Sequence, residues 1–187
     1  MRRGNSPTDD GNLIFSTEER KMLISKYAIL NQYIKRYIGS IEFINGTERW
    51  ILYLKDSDLH NIESIDEIKE RLSNVTKFRL NSKQSGTFQL ASFPNRYFYC
   101  SYQETTSIII PRHSSERREY IPIGYLEAGT VVADSAFAIY DAPLWLFGIL
   151  TSKMHMAWVK TVGGRLKTDY RYSAQLCYNT FPFTALN

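Results

Sequence analysis

Cysteine is scarce in this sequence, and long apolar runs are absent. Cys100 and Cys177 form no CxxC pair, and with the three histidines they give no zinc-ligand spacing. We therefore expect no metal site and a reduced, cytoplasmic setting. The longest apolar run, residues 142–150, is interrupted by proline and glycine and falls short of the ~20 residues that cross a membrane. The N-terminus also lacks the apolar segment of a signal peptide.

Motifs that mark a catalytic centre are missing as well. The sequence contains no glycine-rich nucleotide or S-adenosylmethionine turn, no GxxxxGK[ST], no HExxH and no Asn/Asp-Pro-Pro-Tyr tetrapeptide. Residues 67–69 (Glu-Ile-Lys) carry the letters of a nuclease motif, but solvated helix faces supply such triplets often. His113, Ser114 and Glu116 are sequence neighbours without a nucleophile elbow. We expect no catalytic residue in this chain.

Positive charge is concentrated near the C-terminus. The net charge of the 187 residues is +4, and residues 153–187 hold five basic side chains against one acid, Asp169. Aromatic residues are 14% of the chain and include thirteen tyrosines. This composition favours a large interaction surface, and the basic segment favours a negatively charged partner such as nucleic acid.

The first half of the chain is predicted to be mostly helical. Residues 1–12 are polar and indicate a loop or linker. A Ser-Thr-Glu-Glu capping box opens a helix over residues 16–25, and a second helix is predicted over 28–37. Asn45-Gly46 lies between two β-rich runs and predicts a hairpin over 41–54. Apolar spacing predicts an amphipathic helix over 65–80.

The second half is predicted as strands around one late buried helix at 144–162, which ends at Gly163-Gly164. The predicted strands lie within residues 87–110, 131–132, 137–140, 165–172 and 175–178. The predicted fold class is α+β, with a mixed or antiparallel sheet and the other helices near the N-terminus.

Three blocks of sequence resemble one protein family. They are YIKRYIGS with EFING at residues 33–46, IPR with SSERREYIPIG at 110–124, and FGILTSKMHMAW continuing into GRLKTDYRYS at 147–173. Together they resemble the target-recognition region of MmeI-like (type IIL/IIG) restriction-modification enzymes and adenine-N6 DNA methyltransferases. The resemblance extends from about residue 12 to residue 183.

The resemblance implies a module that recognises duplex DNA sequence. Residues 1–12 would be a linker from an upstream methyltransferase domain, 13–183 the target-recognition domain and 184–187 a tail. The domain would position a target adenine for that catalytic domain, with double-stranded DNA and the rest of the same chain as partners. S-adenosylmethionine would be a cofactor of the parent enzyme, which could also cleave DNA, and this chain would hold no cofactor.

Lys167 and Asp169 are the first candidates for base contacts. Lysine donates to guanine and aspartate accepts from cytosine, so two such residues on one side of an extended chain suit one G·C pair. The resemblance also implies that these two positions act as a specificity pair, and Arg171 continues the alternation. The alternative is an exposed ion pair of about 0–1 kcal/mol.

Arg112, Asp134 and Ser135 are further candidates for base contacts, because each lies at the end of a predicted strand. Arginines, lysines and serines that position the DNA backbone form a second group. That group consists of Ser114, Ser115, Arg117, Arg118, Arg165, Lys77, Arg79 and Lys83. Residues 114–118 could equally cap a helix, and the basic residues at 77–83 could be a solvated helix C-terminus.

The alternative function is a protein-interaction domain in a phage-defence complex, in which the tyrosine-rich surface binds another protein. A steep fall of affinity with salt would favour DNA, because phosphate contacts release counterions.

Overall fold

The computed structural model describes residues 1–62 and 64–183. Its α-helices are α1 (Thr17–Lys26), α2 (Ser40–Asn45), α3 (Asp66–Leu80), α4 (Ser85–Gln89), α5 (Leu144–Leu150) and α6 (Lys153–Val162). Short 3-10 helices span Ala28–Gln32, Asp56–Asn61 and Leu90–Ser92, and a π-helical turn spans Ala174–Tyr178. The strands are β1 (Arg2–Arg3), β2 (Ile14–Phe15), β3 (Ile34–Ile38), β4 (Trp50–Leu52), β5 (Ser107–Pro111), β6 (His113–Ser114), β7 (Gly124–Leu126), β8 (Thr130–Val132), β9 (Ala136–Tyr140), β10 (Gly164–Leu166) and β11 (Asp169–Arg171).

The strands form three sheets. Their orders are β2-β4-β3-β8, β1-β9-β5-β7 and β10-β11-β6. The pairing of β3 with β8 is parallel, and the pairings within the other two sheets are antiparallel. Mixed and antiparallel sheets combined with helices confirm the α+β prediction.

The buried apolar residues described here form three clusters, the third a small one around Val132 and Ala138. The first surrounds the β2-β4-β3-β8 sheet and includes Phe15, Ile51 and Ile68. The second lies beneath α5, α6 and the C-terminal hairpin and includes Met156 and Tyr172. The C-terminal hairpin and its neighbouring loops therefore rest on a core of their own.

Two predictions in the first half are wrong. Residues 28–37 form a 3-10 helix followed by β3, because Ile34, Tyr37 and Ile38 become buried between β4 and β8. Asn45-Gly46 ends α2 instead of turning a hairpin. Gly46 has φ +67, the left-handed conformation that helix C-termini and hairpin turns both use, so the dipeptide alone does not separate the two.

The second half also departs from prediction. The segment 87–110 begins with α4, and its regular strand is β5 at the end. The single late helix is divided in two, because Ser152 caps α6 through a side-chain oxygen that accepts from the His155 amide. Residues 175–178 lie in the π-helical turn and not in a strand.

The segment 1–12, predicted as a linker, takes part in the fold. β1 pairs with β9, and Asn5 is fully buried, where its side-chain amide donates to the Val132 carbonyl at 2.8 Å. The backbone amides of Ser101 and Tyr102 donate to the Asn5 side-chain oxygen. The N-terminal residues thus connect β9 to the loop before β5. The predicted tail, 184–187, lies outside the described residues.

Candidate nucleic-acid interface

The C-terminal hairpin presents Lys167 and Asp169. Leu166 pairs with Asp169, which leaves a two-residue turn, and Lys167 in that turn has φ +57. The expectation that both residues lie on one extended strand is therefore wrong: Lys167 occupies the hairpin tip, and Asp169 begins β11. Both side chains are exposed. A donor at the tip and an acceptor beside it can still approach one ligand together.

The loop after β6 holds Asp169 in place. β6 pairs with β11, with Ser114 opposite Tyr170 and His113 opposite Arg171. The backbone amide of Glu116 then donates to Asp169 Oδ1 at 3.2 Å. This hydrogen bond uses one carboxylate oxygen and leaves the other available as an acceptor.

Arg112 joins β5, β6 and the turn before β9. Its guanidinium donates to the Asp134 carbonyl at 3.0 Å and lies 5.7 Å from the Phe137 ring centroid. Its own carbonyl accepts from the Tyr172 amide at 2.8 Å, so it also fixes the end of the hairpin. Partial burial lowers the pKa of the Arg112 guanidinium, and nearby Arg3 adds to that effect. The side chain is thus held at the surface, where other N–H donors of the guanidinium can reach a ligand.

The turn at Asp134 and Ser135 is held from several sides. Arg3 forms a 2.9 Å ion pair with the Asp134 carboxylate. The Ser40 amide donates to Ser135 Oγ at 3.0 Å, and the Ser40 hydroxyl donates to the Ser135 carbonyl at 2.5 Å. Sequence reasoning missed Arg3 and Ser40. Arg3 lies in a segment predicted as a linker, and no local pattern in the sequence places Ser40 beside Ser135.

These groups lie on the hairpin and on the strand ends and turns connected to it, and we call them together the hairpin surface. It consists of Arg3, Arg112, Asp134, Ser135, Lys167, Asp169 and Arg171. The pKa of His113 reflects these neighbours. Burial lowers the pKa, nearby Arg112 and Arg171 lower it further, and Asp169 raises it. Cationic donors with two carboxylates among them suit the edges of guanine and cytosine, which offer acceptors and a donor respectively.

A buried pair supports the hairpin surface from below. His155 Nε2 and the Tyr172 hydroxyl are 2.9 Å apart, and both side chains are almost fully buried. Burial lowers the pKa of His155 to about 4 and raises that of Tyr172, so both groups are neutral near pH 7. His155 is thus a histidine packed on the inner face of α6.

Two of the predicted contacts to the DNA backbone are wrong. Arg79 is fully buried, and its guanidinium donates five hydrogen bonds to main-chain carbonyls of this chain. Ser114 is 4% exposed, and its hydroxyl is enclosed by the protein. Neither side chain is accessible to a phosphate.

The other residues predicted to contact the DNA backbone divide into two groups. Arg117 and Arg118 are exposed on the loop beside Asp169, where Ser115 Oγ accepts from the Arg117 amide. Arg165 is exposed on β10, with its guanidinium 4.1 Å from the Tyr170 ring centroid. Lys77 and Lys83 are exposed at and beyond the end of α3, in the other half of the chain. The structure brings the first group, but not these lysines, next to the hairpin surface.

Across residues 1–62 and 64–183, no helix is long and apolar enough to cross a membrane. The same residues contain no group of three or more His, Cys, Asp or Glu side chains arranged to hold a metal ion.

Comparison with known proteins gives one family match and two similar proteins. The family described as "MmeI, target recognition domain" matches residues 1–185. DNA methyltransferase A of Bacillus subtilis (strain 168) is 47% identical over 184 residues, which are 98% of this chain and 21% of that protein. The type IIL restriction-modification enzyme MmeI, solved in complex with DNA, is 42% identical with a TM-score of 0.93. That match covers all of this chain and 25% of MmeI. The chain therefore spans about a fifth to a quarter of these relatives.

Proposed function

Because this chain belongs to the MmeI target recognition domain family, we propose that it recognises a specific sequence in duplex DNA. The observation that carries the proposal is the hairpin surface, where Arg112 and Arg171 lie with Lys167 and Asp169 around one antiparallel sheet. The similarity to MmeI, which was solved with DNA bound, supports duplex DNA as the ligand.

Each part of the hairpin surface has a distinct role in this proposal. Lys167 at the hairpin tip donates to guanine, and Asp169 accepts from the paired cytosine. Arg171 and Arg112 contact neighbouring bases, and the turn at Asp134 and Ser135 supplies acceptors beside them. Rigid attachment favours specificity, because a fixed donor or acceptor discriminates between base edges that differ only in position.

Exposed cations around the hairpin surface contact phosphates. Arg117, Arg118 and Arg165 are exposed, and Ser115 is partly exposed on the same loop as the first two. Phosphate contacts of this kind set the register of the protein on the duplex without specifying sequence. Lys77 and Lys83 contact DNA only if the duplex extends to the other half of the chain.

Catalysis belongs to the rest of the full-length protein. We propose a parent enzyme that transfers a methyl group from S-adenosylmethionine to adenine in the cytoplasm, and the similarity to a DNA methyltransferase supports methyl transfer to DNA. Adenine must leave the base stack to be methylated, and this domain would hold the duplex while that occurs. We assign no cofactor to this chain.

Salt dependence separates DNA recognition from the protein-interaction alternative. We expect the full-length protein to bind duplex DNA with a logarithmic salt slope of about −2.7 or steeper, since each phosphate neutralised by Arg117, Arg118 or Arg165 contributes about −0.9. Replacing Arg117 and Arg118 by glutamine should make the slope shallower by about 2 while preserving base preference. Fluorescence anisotropy from about 50 to 200 mM salt measures both slopes.

The same titration can also contradict the proposal. If the full-length protein binds no duplex at the lowest salt, DNA recognition is wrong and the protein-interaction function replaces it. If it binds but the double variant keeps the wild-type slope, the loop arginines are not phosphate contacts.

A further inference from the structure

We propose that the outer face of α6 is a second contact site for DNA phosphates, which extends the interface beyond the hairpin surface. This inference rests on the proposed function and concerns residues that the sequence did not single out as contacts. Lys153, Ala157 and Lys160 form the face, because residues four and three apart share one side of a helix.

The face is free to receive a ligand. His155, Met156 and Val159 hold α6 on the core, whereas Lys153, Ala157 and Lys160 are exposed. Across residues 1–62 and 64–183, neither ammonium has an ion-pair or hydrogen-bond partner. The lysines are therefore not used to stabilise the described part of the fold.

The spacing of the lysines suits a polyanion. Seven residues of α-helix separate them by about 10 Å along the axis. One strand of B-DNA advances about 3.4 Å per nucleotide, so this separation corresponds to about three nucleotides when the helix follows that strand. Ala157 lies between the two lysines, and its small side chain allows a sugar-phosphate backbone to approach α6 closely.

Loop 115–120 makes the two surfaces continuous. At one end of the loop, the Glu116 amide donates to Asp169 on the hairpin surface. At the other end, Glu119 and Tyr120 line a cavity of about 320 Å³ together with Lys153, Ala157 and Lys160. Exposed Arg117 and Arg118 lie between these ends. Cations thus follow one another from the hairpin to α6, with Glu119 as an opposing charge in the cavity.

The test compares two lysine pairs in the full-length protein. Lys153→Gln with Lys160→Gln should make the salt slope shallower by about 2 and weaken binding about 10-fold or more at 0.1 M salt. The loss should be equal for the preferred duplex and an unrelated duplex, because phosphates carry no base identity. Lys21→Gln with Lys69→Gln removes the same charge from α1 and α3, and should leave the slope unchanged.

Glu119→Gln gives a prediction of opposite sign. Removing this acid from the cavity should strengthen binding to both duplexes, and a misfolded variant could not produce that gain. Circular dichroism melting of each variant checks that the helices are intact.

The outcomes distinguish this inference from the proposed function. If the wild type binds duplex DNA and the α6 pair keeps the wild-type slope, the second contact site is wrong and the hairpin surface is unaffected. Equal losses in the α6 and control pairs would show a net-charge effect and also contradict the site. If the wild type binds no duplex, both proposals fail together.

Discussion

Replacing Arg79 by methionine is expected to lower the free energy of unfolding of the chain by about 4 kcal/mol. All five N–H groups of this fully buried guanidinium donate to main-chain carbonyls. The acceptors are the carbonyls of Pro7, Thr8, Leu90, Phe93 and Arg96, at 2.7 to 3.1 Å. Methionine fills much of the volume but leaves all five carbonyls without that donor.

The effect should be large because one side chain connects distant segments. Residues 7–8 and residues 90–96 are far apart in sequence, and the Arg79 side chain at the end of α3 is hydrogen-bonded to both segments. Arg79→Lys should also destabilise the chain, because an ammonium has three donors and lacks the planar fork.

Urea denaturation measures this prediction directly. Lys77→Met, an exposed position on the same helix, is the matched control and should change stability by less than about 0.5 kcal/mol. A loss below about 1 kcal/mol for Arg79→Met would show that the buried guanidinium contributes little.

Gly4→Ala is expected to destabilise the fold by about 3 kcal/mol or to detach the N-terminal segment. A Cβ at this position would lie 2.0 Å from the Ala133 carbonyl oxygen and 2.8 Å from that of Val132. Both are backbone atoms of a buried strand region, so no side-chain movement relieves the overlap. The flanking hydrogen bonds, from the Gly4 amide to Ala136 and from the Asn5 amide to Val132, would be lost.

Gly148→Ala is the matched control for this substitution. Outside its chain neighbours and the backbone of α5, no atom in the part of the chain that the structure describes lies within 4 Å of a Cβ at Gly148, so alanine should be neutral or stabilising by about 0.5–1 kcal/mol. Thermal unfolding compares the two variants, and amide exchange at Asn5 reports detachment. Gly4→Ala with wild-type stability and wild-type exchange would show that the segment adapts freely.

Local signals predicted the elements that depend on neighbouring residues. The capping box of α1 is present in both directions, since the Glu19 amide donates to Ser16 Oγ and the Ser16 amide donates to the Glu19 carboxylate. The amphipathic spacing of α3 is likewise confirmed. Non-local pairing explains the failure at β3, because Arg36 pairs with Thr130, more than ninety positions later.

The charges and residue types in the sequence suggested candidate site residues, but they did not show which of these side chains are buried. Arg79 continues the stripe of Ile68, Leu72 and Val75, which is the signal that could have identified it as a buried residue. Charge alone suggested a phosphate contact instead. Arg3 was not predicted as a site residue, because its ion pair with Asp134 depends on β1 pairing with β9. No local pattern contains that information.

Base recognition by Lys167 and Asp169 is the central claim, and selection from a random-duplex library tests it most directly. The full-length wild type and the Lys167→Glu, Asp169→Arg double variant should be selected in parallel. We expect the wild type to enrich a defined motif, and the variant to enrich the same motif with one G·C position changed in identity or orientation. A good base contact contributes about 1–3 kcal/mol of discrimination, which such a selection resolves. If both proteins enrich the same motif, or neither enriches any, base recognition by this pair is contradicted.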